Sequence, residues 1–306
     1  MRLSRSKCDG KQRSQSGFTI IELLVVMACI SLLVALLLPA VQQTRNAASR
    51  LSCANRIRNI AFATLMHADT HKVLPAAYTT DRPEADYPYM TWLCRILPGI
   101  EQSSLWNETT AAYAANRFPF GTPEHKGFRK PITLFSCPND GRTELTAVSP
   151  QYGDVALTSY VGNGGTDYLS KDGVFFVDSA VRLADITDGL SNTLLIGERP
   201  PSTDLQYGWW YAGVGQDGHG SPDMIVGARE INIGWAGNEL CDKGPYQFEI
   251  GYPQRQCDVF HFWSLHAGGA WFARCDGSAG FLSYSANEIL PKLATRAGGE
   301  IFDSGN

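Results

Sequence analysis

From Phe18 to Val41 the chain carries a single charged residue, Glu22. The run exceeds the ~20 residues that a helix needs to cross a bilayer. A carboxylate inside it costs on the order of 2–4 kcal/mol if it must face lipid, so Glu22 requires a purpose. An ordinary signal anchor gives it none. A secretory signal cleaved after Ala40 fits poorly, because the apolar run is too long and Glu22 lies within it. Val26-Met27-Ala28-Cys29 approaches a lipoprotein acylation box. Met27 suits that box badly, and the apolar run continues well past Cys29. Before the run, Arg2, Arg5, Lys7, Lys11 and Arg13 stand against Asp9, a local charge of +4. Basic residues ahead of a span hold that end in the cytoplasm. The rest carries −8 of a net −4 and is expected on the exported side. An acidic exported domain argues against nucleic acid as a partner, because phosphate binding needs a basic face.

Gly17-Phe18-Thr19-Ile20-Ile21-Glu22, with a basic leader before it and a span after it, resembles the prepilin processing site of type IV pilins and type II secretion pseudopilins. The resemblance implies that a prepilin peptidase cuts between Gly17 and Phe18 and methylates the Phe18 amine. It also implies that Glu22 pairs with the N-terminal amine of a neighbouring subunit, setting register as subunits stack on an inner-membrane assembly platform. An ammonium and a carboxylate buried together satisfy each other, and either alone is penalised. The expected partners are the peptidase, other pilin-like subunits and the platform. The expected location is the inner membrane, single-pass, with the N-terminus cytoplasmic and the globular domain periplasmic or at the cell surface. Pilus subunit and secretion pseudopilin both fit.

The helix is expected to continue beyond the membrane. Residues 42–50 are polar and free of Gly and Pro, and Leu51, Ala54, Ile57, Ala61, Leu65 and Ala68 then recur at three- and four-residue intervals. That spacing predicts one apolar stripe on a helix. A helix from Phe18 to Asp69 would be about 80 Å long. Pro39 is expected to kink it, since it removes one backbone donor. The divisions are a leader at 1–17, a span at 18–41, an amphipathic half at 42–72 and a globular domain at 73–306. The fold class is α+β, with the long helix packed on a mainly antiparallel, loop-rich domain in the lollipop form of pilins. Helical segments are expected at Met90–Leu97 and Glu101–Asn116. Strands are expected at Ile132–Phe135, Ser159–Val161, Val174–Val177, Thr193–Gly197, Trp209–Tyr211 and Trp271–Cys275.

Cys8 lies in the leader and Cys29 in the span. Cys53, Cys94, Cys137, Cys241, Cys257 and Cys275 remain, an even number that fits disulfides in an oxidising compartment. Cys241 with Cys257 is the best local pair, since the loop between them is short and polar. No CxxC motif supports zinc, and no metal is expected.

Several motifs follow in order: Cys53, Leu74-Pro75-Ala76, Leu97-Pro98-Gly99, Phe135-Ser136-Cys137-Pro138-Asn139-Asp140, Ser159-Tyr160-Val161-Gly162-Asn163, Ile186-Thr187-Asp188-Gly189, and His266-Ala267-Gly268-Gly269 with Asp276-Gly277. The ordered set resembles a family of pilin-like proteins abundant in Planctomycetes, with a C-terminal domain of unassigned function and a His-x9-Asp-Gly signature. Cys94 and Cys275 depart from that pattern, which raises their pairing with each other. The residues also have a mechanical reading. Asp276-Gly277 between apolar runs is a hairpin turn, and His266 enters that hairpin, within reach of Asp276 or a backbone carbonyl. Asp140, Asp188 and Asp276 are loop oxygen donors, so calcium is the one cofactor weighed, although EF-hand spacing is absent. His67 and His71 share a helix face. Gly-x-Ser-x-Gly, P-loop and His-Glu-x-x-His motifs are all missing, and no enzyme is expected. The alternative to a filament subunit is an anchored adhesin or carbohydrate-binding module, with Trp209, Trp210, Tyr211, Trp235 and Trp263 stacking on sugars.

Overall fold

The structure is a computed structural model, and it describes residues 19–121, 125–144, 146–149, 153–213, 224–233 and 241–299. Gly17, Phe18 and Trp235 lie outside the described residues. The chain divides into two units, residues 1–47 and 48–306.

Helix α1 spans Ile20–His71, and Pro39 lies within it without ending it. In the first unit it is apolar and exposed all round, and it is long and apolar enough to cross a membrane. Its start is closed by a capping box. The Thr19 N–H and hydroxyl both donate to Glu22 Oε2 at 2.8 Å, and the Glu22 N–H donates to Thr19 Oγ1 at 3.3 Å.

In the second unit the remainder of α1 turns one face inward. Cys53, Ala54, Ile57, Ile60, Ala61, Thr64 and Ala68 are buried there. Of the stripe that the helical period predicts, Ala54, Ile57, Ala61 and Ala68 are buried, Leu65 is half-buried and Leu51 is exposed, while Cys53, Ile60, Ala63 and Thr64 also turn inward. Two short helices follow, α2 (Trp92–Arg95) and α3 (Ser103–Ala115). Between them Leu97–Ile100 forms a 3-10 turn whose second residue is Pro98.

The strands are short. A hairpin of β1 (Thr146–Ser149) and β2 (Gly153–Ala156) stands apart. The main sheet contains β3 (Tyr160–Asn163), β4 (Leu194–Glu198), β5 (Ile225–Val226), β6 (Gly269–Arg274) and β7 (Ala279–Ser283). Its order is β5-β3-β4-β6-β7, antiparallel except for the β3–β5 pair. A last helix, α4, covers Leu290–Ala294.

Alternation along the strands feeds two cores. Tyr160, Leu195, Ile196 and Ala273 join the cluster that includes Ile57, Ile60, Ala61, Trp92 and Phe135. Val161, Leu194 and Phe272 join Phe248, Phe262, Leu290 and Leu293 in the other. A bulge between Leu194 and Ile196 breaks the alternation, so Leu195 and Ile196 serve the same cluster. With apolar groups on both faces, β3 and β4 are buried throughout.

Three expected strands do not form. Thr133–Phe135 is a 3-10 turn, and Val174–Val177 lies in irregular chain. Trp209 makes only an isolated bridge, to Leu157. Among the rings offered as a sugar platform, Trp209, Trp210, Tyr211 and Trp263 are buried. Trp210 donates its indole N–H to Lys130 O at 3.0 Å. Buried in this way, these four rings have no face open for a sugar to stack on.

The hairpin at Asp276-Gly277 forms, with Gly277 at φ +84°. Before it, Gly268 also has positive φ, +88°, with open space around the position a Cβ would take. Gly269 has no such φ, but a Cβ there would lie 1.9 Å from Leu282 O on the paired strand. These neighbours therefore separate strain from space. Gly268→Ala should cost about 1 kcal/mol for the left-handed backbone. Gly269→Ala must push β6 from β7 and should cost on the order of 3 kcal/mol. Urea unfolding of the full chain in detergent checks the order of the two variants.

Candidate functional site

Four side chains that could bear chemistry meet inside the second unit. Cys53 comes from α1, Cys137 from the loop after the Thr133–Phe135 turn, Glu198 from the end of β4, and His266 from the segment entering β6. All four are buried, and their ligating atoms lie within 4.8 Å of one another.

Each element is held in place locally. Arg56 donates to Ser136 O at 2.6 Å, tying α1 to the Cys137 loop. The Cys137 N–H donates to Ser159 Oγ at 2.9 Å. Arg50 reaches Ala267 O and stacks over Phe281 at 4.8 Å. Ser264 fixes the His266 turn, accepting from the His266 N–H at 3.0 Å and donating to Gly269 O at 2.7 Å. Glu198 Oε2 accepts from the Trp271 N–H at 2.8 Å, so the β4–β6 pairing orients this carboxylate. Its Oε1 has no hydrogen-bond partner and stands 3.5 Å from His266 Nε2.

The network sets the protonation pattern. The Asn139 side-chain amide meets His266 Nδ1 at 3.1 Å and Ser49 Oγ on its other side. With the ring charged, both nitrogens carry protons: Nδ1–H is held at the Asn139 amide, and Nε2–H faces Cys137 Sγ at 3.6 Å and Glu198 Oε1 at 3.5 Å. Cys53 Sγ and Cys137 Sγ are 2.8 Å apart. The bond to Cys53 lowers the Cys137 thiol against burial, and His266 adds to that, bringing it to about 7. The same bond, with burial, raises Cys53. Burial alone would lower His266, but Cys137 and Glu198 outweigh it and hold it at about 9. Cys137 is the thiolate of the pair and His266 its imidazolium partner.

A metal fits this donor set only in part. Around one zinc, ligand atoms of these types stand about 3.3–3.6 Å apart for nitrogen with oxygen or sulfur, and about 3.8 Å for two sulfurs. The distances from His266 agree with that. The two sulfurs, at 2.8 Å, are too close.

The other candidates do not converge here. Asp276 accepts from the Ser278 N–H at 2.8 Å and serves its own turn, so His266 meets Asn139 instead of Asp276. Asp140 pairs with Arg142 at 2.8 Å, and Asp188 accepts from the Gly298 and Gly299 N–H groups. The three carboxylates offered for calcium are thus each engaged locally. The His67 and His71 rings stack at 4.0 Å, and burial with the neighbouring ring lowers His67 to about 4. Cys241 and Cys257 are joined by a disulfide. Cys94 and Cys275 are not joined to each other, and both are buried free thiols. Cys275 Sγ points to Leu194 O at 3.8 Å, which accounts for a polar atom in its place. Sequence reading missed Glu198. Its signal was one acid closing the apolar run Leu194-Leu195-Ile196-Gly197.

Linkage gives this site a pH signature. The folded pKa of His266 lies above its ordinary 6.5, so its contribution is complete below pH 6.5 and is lost as pH rises through about 9. The difference in urea midpoint between the full chain and His266→Gln should therefore shrink across that window. A constant difference would contradict the charged pairing.

Comparison with known proteins adds two findings. Residues 12–38 match the prokaryotic N-terminal methylation motif, and residues 42–288 match a family described as protein of unknown function, DUF1559. No curated protein and no solved structure matches. The motif implies processing by a prepilin peptidase and association with a membrane. The second match covers most of the chain, including all four residues of the buried cluster, and the chain belongs to the DUF1559 family.

Proposed function

We propose that the chain is a pilin-like structural subunit of a type IV pilus or a type II secretion pseudopilus. It inserts in the inner membrane once, with the leader cytoplasmic and the globular domain on the exported side. The prepilin peptidase cuts between Gly17 and Phe18 and methylates the new amine, and the subunit then joins others on an assembly platform. In this reading it is a building block and not a catalyst.

One observation carries the proposal: a lone carboxylate, Glu22, within the first turn of a helix of membrane-spanning character, inside the matched methylation motif. Alone, Glu22 caps its own helix through Thr19. In an assembly the same carboxylate is placed to receive the Phe18 amine of a neighbour, a pairing that becomes stronger as water leaves. Apolar packing between helices supplies the drive, and the ion pair fixes the axial step. The burial of Trp209, Trp210 and Trp263 weighs against an adhesin that stacks sugars on those rings.

Glu22→Ala should leave membrane insertion intact and reduce recovery in sheared filament fractions at least tenfold, equivalent to about 1.4 kcal/mol per subunit contact. Immunoblots of membrane and sheared fractions read both quantities. Wild-type recovery of the variant would overturn the register role.

A further inference from the structure

We propose that Cys53 and Cys137 form a redox-active dithiol, oxidised in the exported compartment to a disulfide that locks the inner half of α1 to the globular domain. The inference rests on the exported placement argued above, and its own support is geometric.

The two sulfurs are 2.8 Å apart and buried. That is well inside the separation of unbonded heavy atoms, about 3.5–4.0 Å between carbons. They are brought together by groups independent of the sulfurs: Arg56 on Ser136 O, the Cys137 N–H on Ser159, and Arg50 on Ala267 O. The remaining two members complete a thiol-exchange site. His266 Nε2–H faces Cys137 Sγ, and the unpartnered Oε1 of Glu198 stands behind that proton. A thiolate is the attacking species in disulfide exchange, and an imidazolium beside it keeps it ionised. The same proton placement disfavours a metal, which would need a bare Nε2.

The chemistry balances with one co-reactant, the disulfide of an exported thiol–disulfide oxidoreductase, reacting before Cys137 is buried. The Cys137 thiolate attacks one sulfur of that disulfide, forming a mixed disulfide and releasing one thiolate of the oxidoreductase. Cys53 loses its proton and attacks Cys137 Sγ. The Cys53–Cys137 bond forms, the mixed disulfide breaks, and the second thiolate leaves. This chain loses two electrons and two protons, and the co-reactant is reduced to a dithiol.

The mechanical consequence follows from where the bond falls. It closes a covalent ring from Cys53 to Cys137 that contains the end of α1, α2 and α3. Force drawn along α1 then passes into the domain through a covalent link rather than through side-chain packing alone. The Cys241–Cys257 disulfide lies outside that ring and cannot substitute for it.

The test uses the wild-type full chain recovered from membranes, with free thiols blocked by alkylation at lysis. Trypsin is applied briefly to cut after the exposed Lys72, which lies within the ring. Denaturing gels without and with reductant then read the product, and peptide mapping and elemental zinc analysis are run in parallel. The expected result is two fragments that stay joined until reduced, with Cys53–Cys137 and Cys241–Cys257 both mapped as disulfides and no zinc. Fragments that separate without reductant, with Cys241–Cys257 intact and Cys53 and Cys137 alkylated, would overturn this proposal alone. One zinc per chain with both thiols free would overturn it in favour of a metal site. Alkylation of all four cysteines would overturn the exported placement, and this proposal with it.

Discussion

A backbone that enters a bilayer must satisfy its own hydrogen bonds, and a single segment can do so only as a helix. Everything else in this chain is arranged around that requirement. α1 is exposed and apolar in its first part and buried along one face in its last part. The change comes from composition alone. Up to Val41 every face is apolar, whereas beyond Ala47 only the positions near Cys53, Ile57, Ile60, Thr64 and Ala68 turn inward. One continuous helix thereby carries both kinds of surface, with Pro39 as the residue that lacks a backbone donor.

The second unit builds on that inward face. The sheet is short-stranded and covered on both sides, so it requires apolar residues at successive positions of β3 and β4. Within this apolar environment the chain places one carboxylate, one imidazole and two thiols together. Burying such groups singly is costly, and as a set they offset one another. Glu198 is oriented by the sheet, His266 by Ser264 and Asn139, and Cys53 by α1. The cluster is thus a joint between four segments that are distant in sequence.

Local patterns made much of the architecture readable. The 3.6-residue period gave α1, and the Asp276-Gly277 pair between apolar runs gave the β6–β7 hairpin. Both depend on neighbours in the chain. The failures share a cause. Ile132–Phe135 and Val174–Val177 have the composition of strands, but they meet their neighbours through isolated backbone bonds, such as Ser159 N–H to Phe135 O and Phe175 N–H to Asn163 O, and no ladder forms. Leu51 fits the helical stripe, yet Cys53 is the residue that the Cys137 loop meets. The site was visible only in pieces. Cys53, Cys137 and His266 each stood out, but their meeting is a long-range event for which spacing holds no information. Glu198 carried one clue, its charge at the end of a strand that is otherwise apolar.

The account depends most on the claim that the segment around Glu22 is a processed and assembled terminus and not a simple anchor. Mass spectrometry of the N-terminal peptide of the protein isolated from its native membranes addresses that claim most directly. The prediction is a chain that begins at Phe18 and carries one methyl group on its α-amine. A chain that retains Gly17 and the basic residues before it would contradict processing, and the assembly role of Glu22 would fall with it.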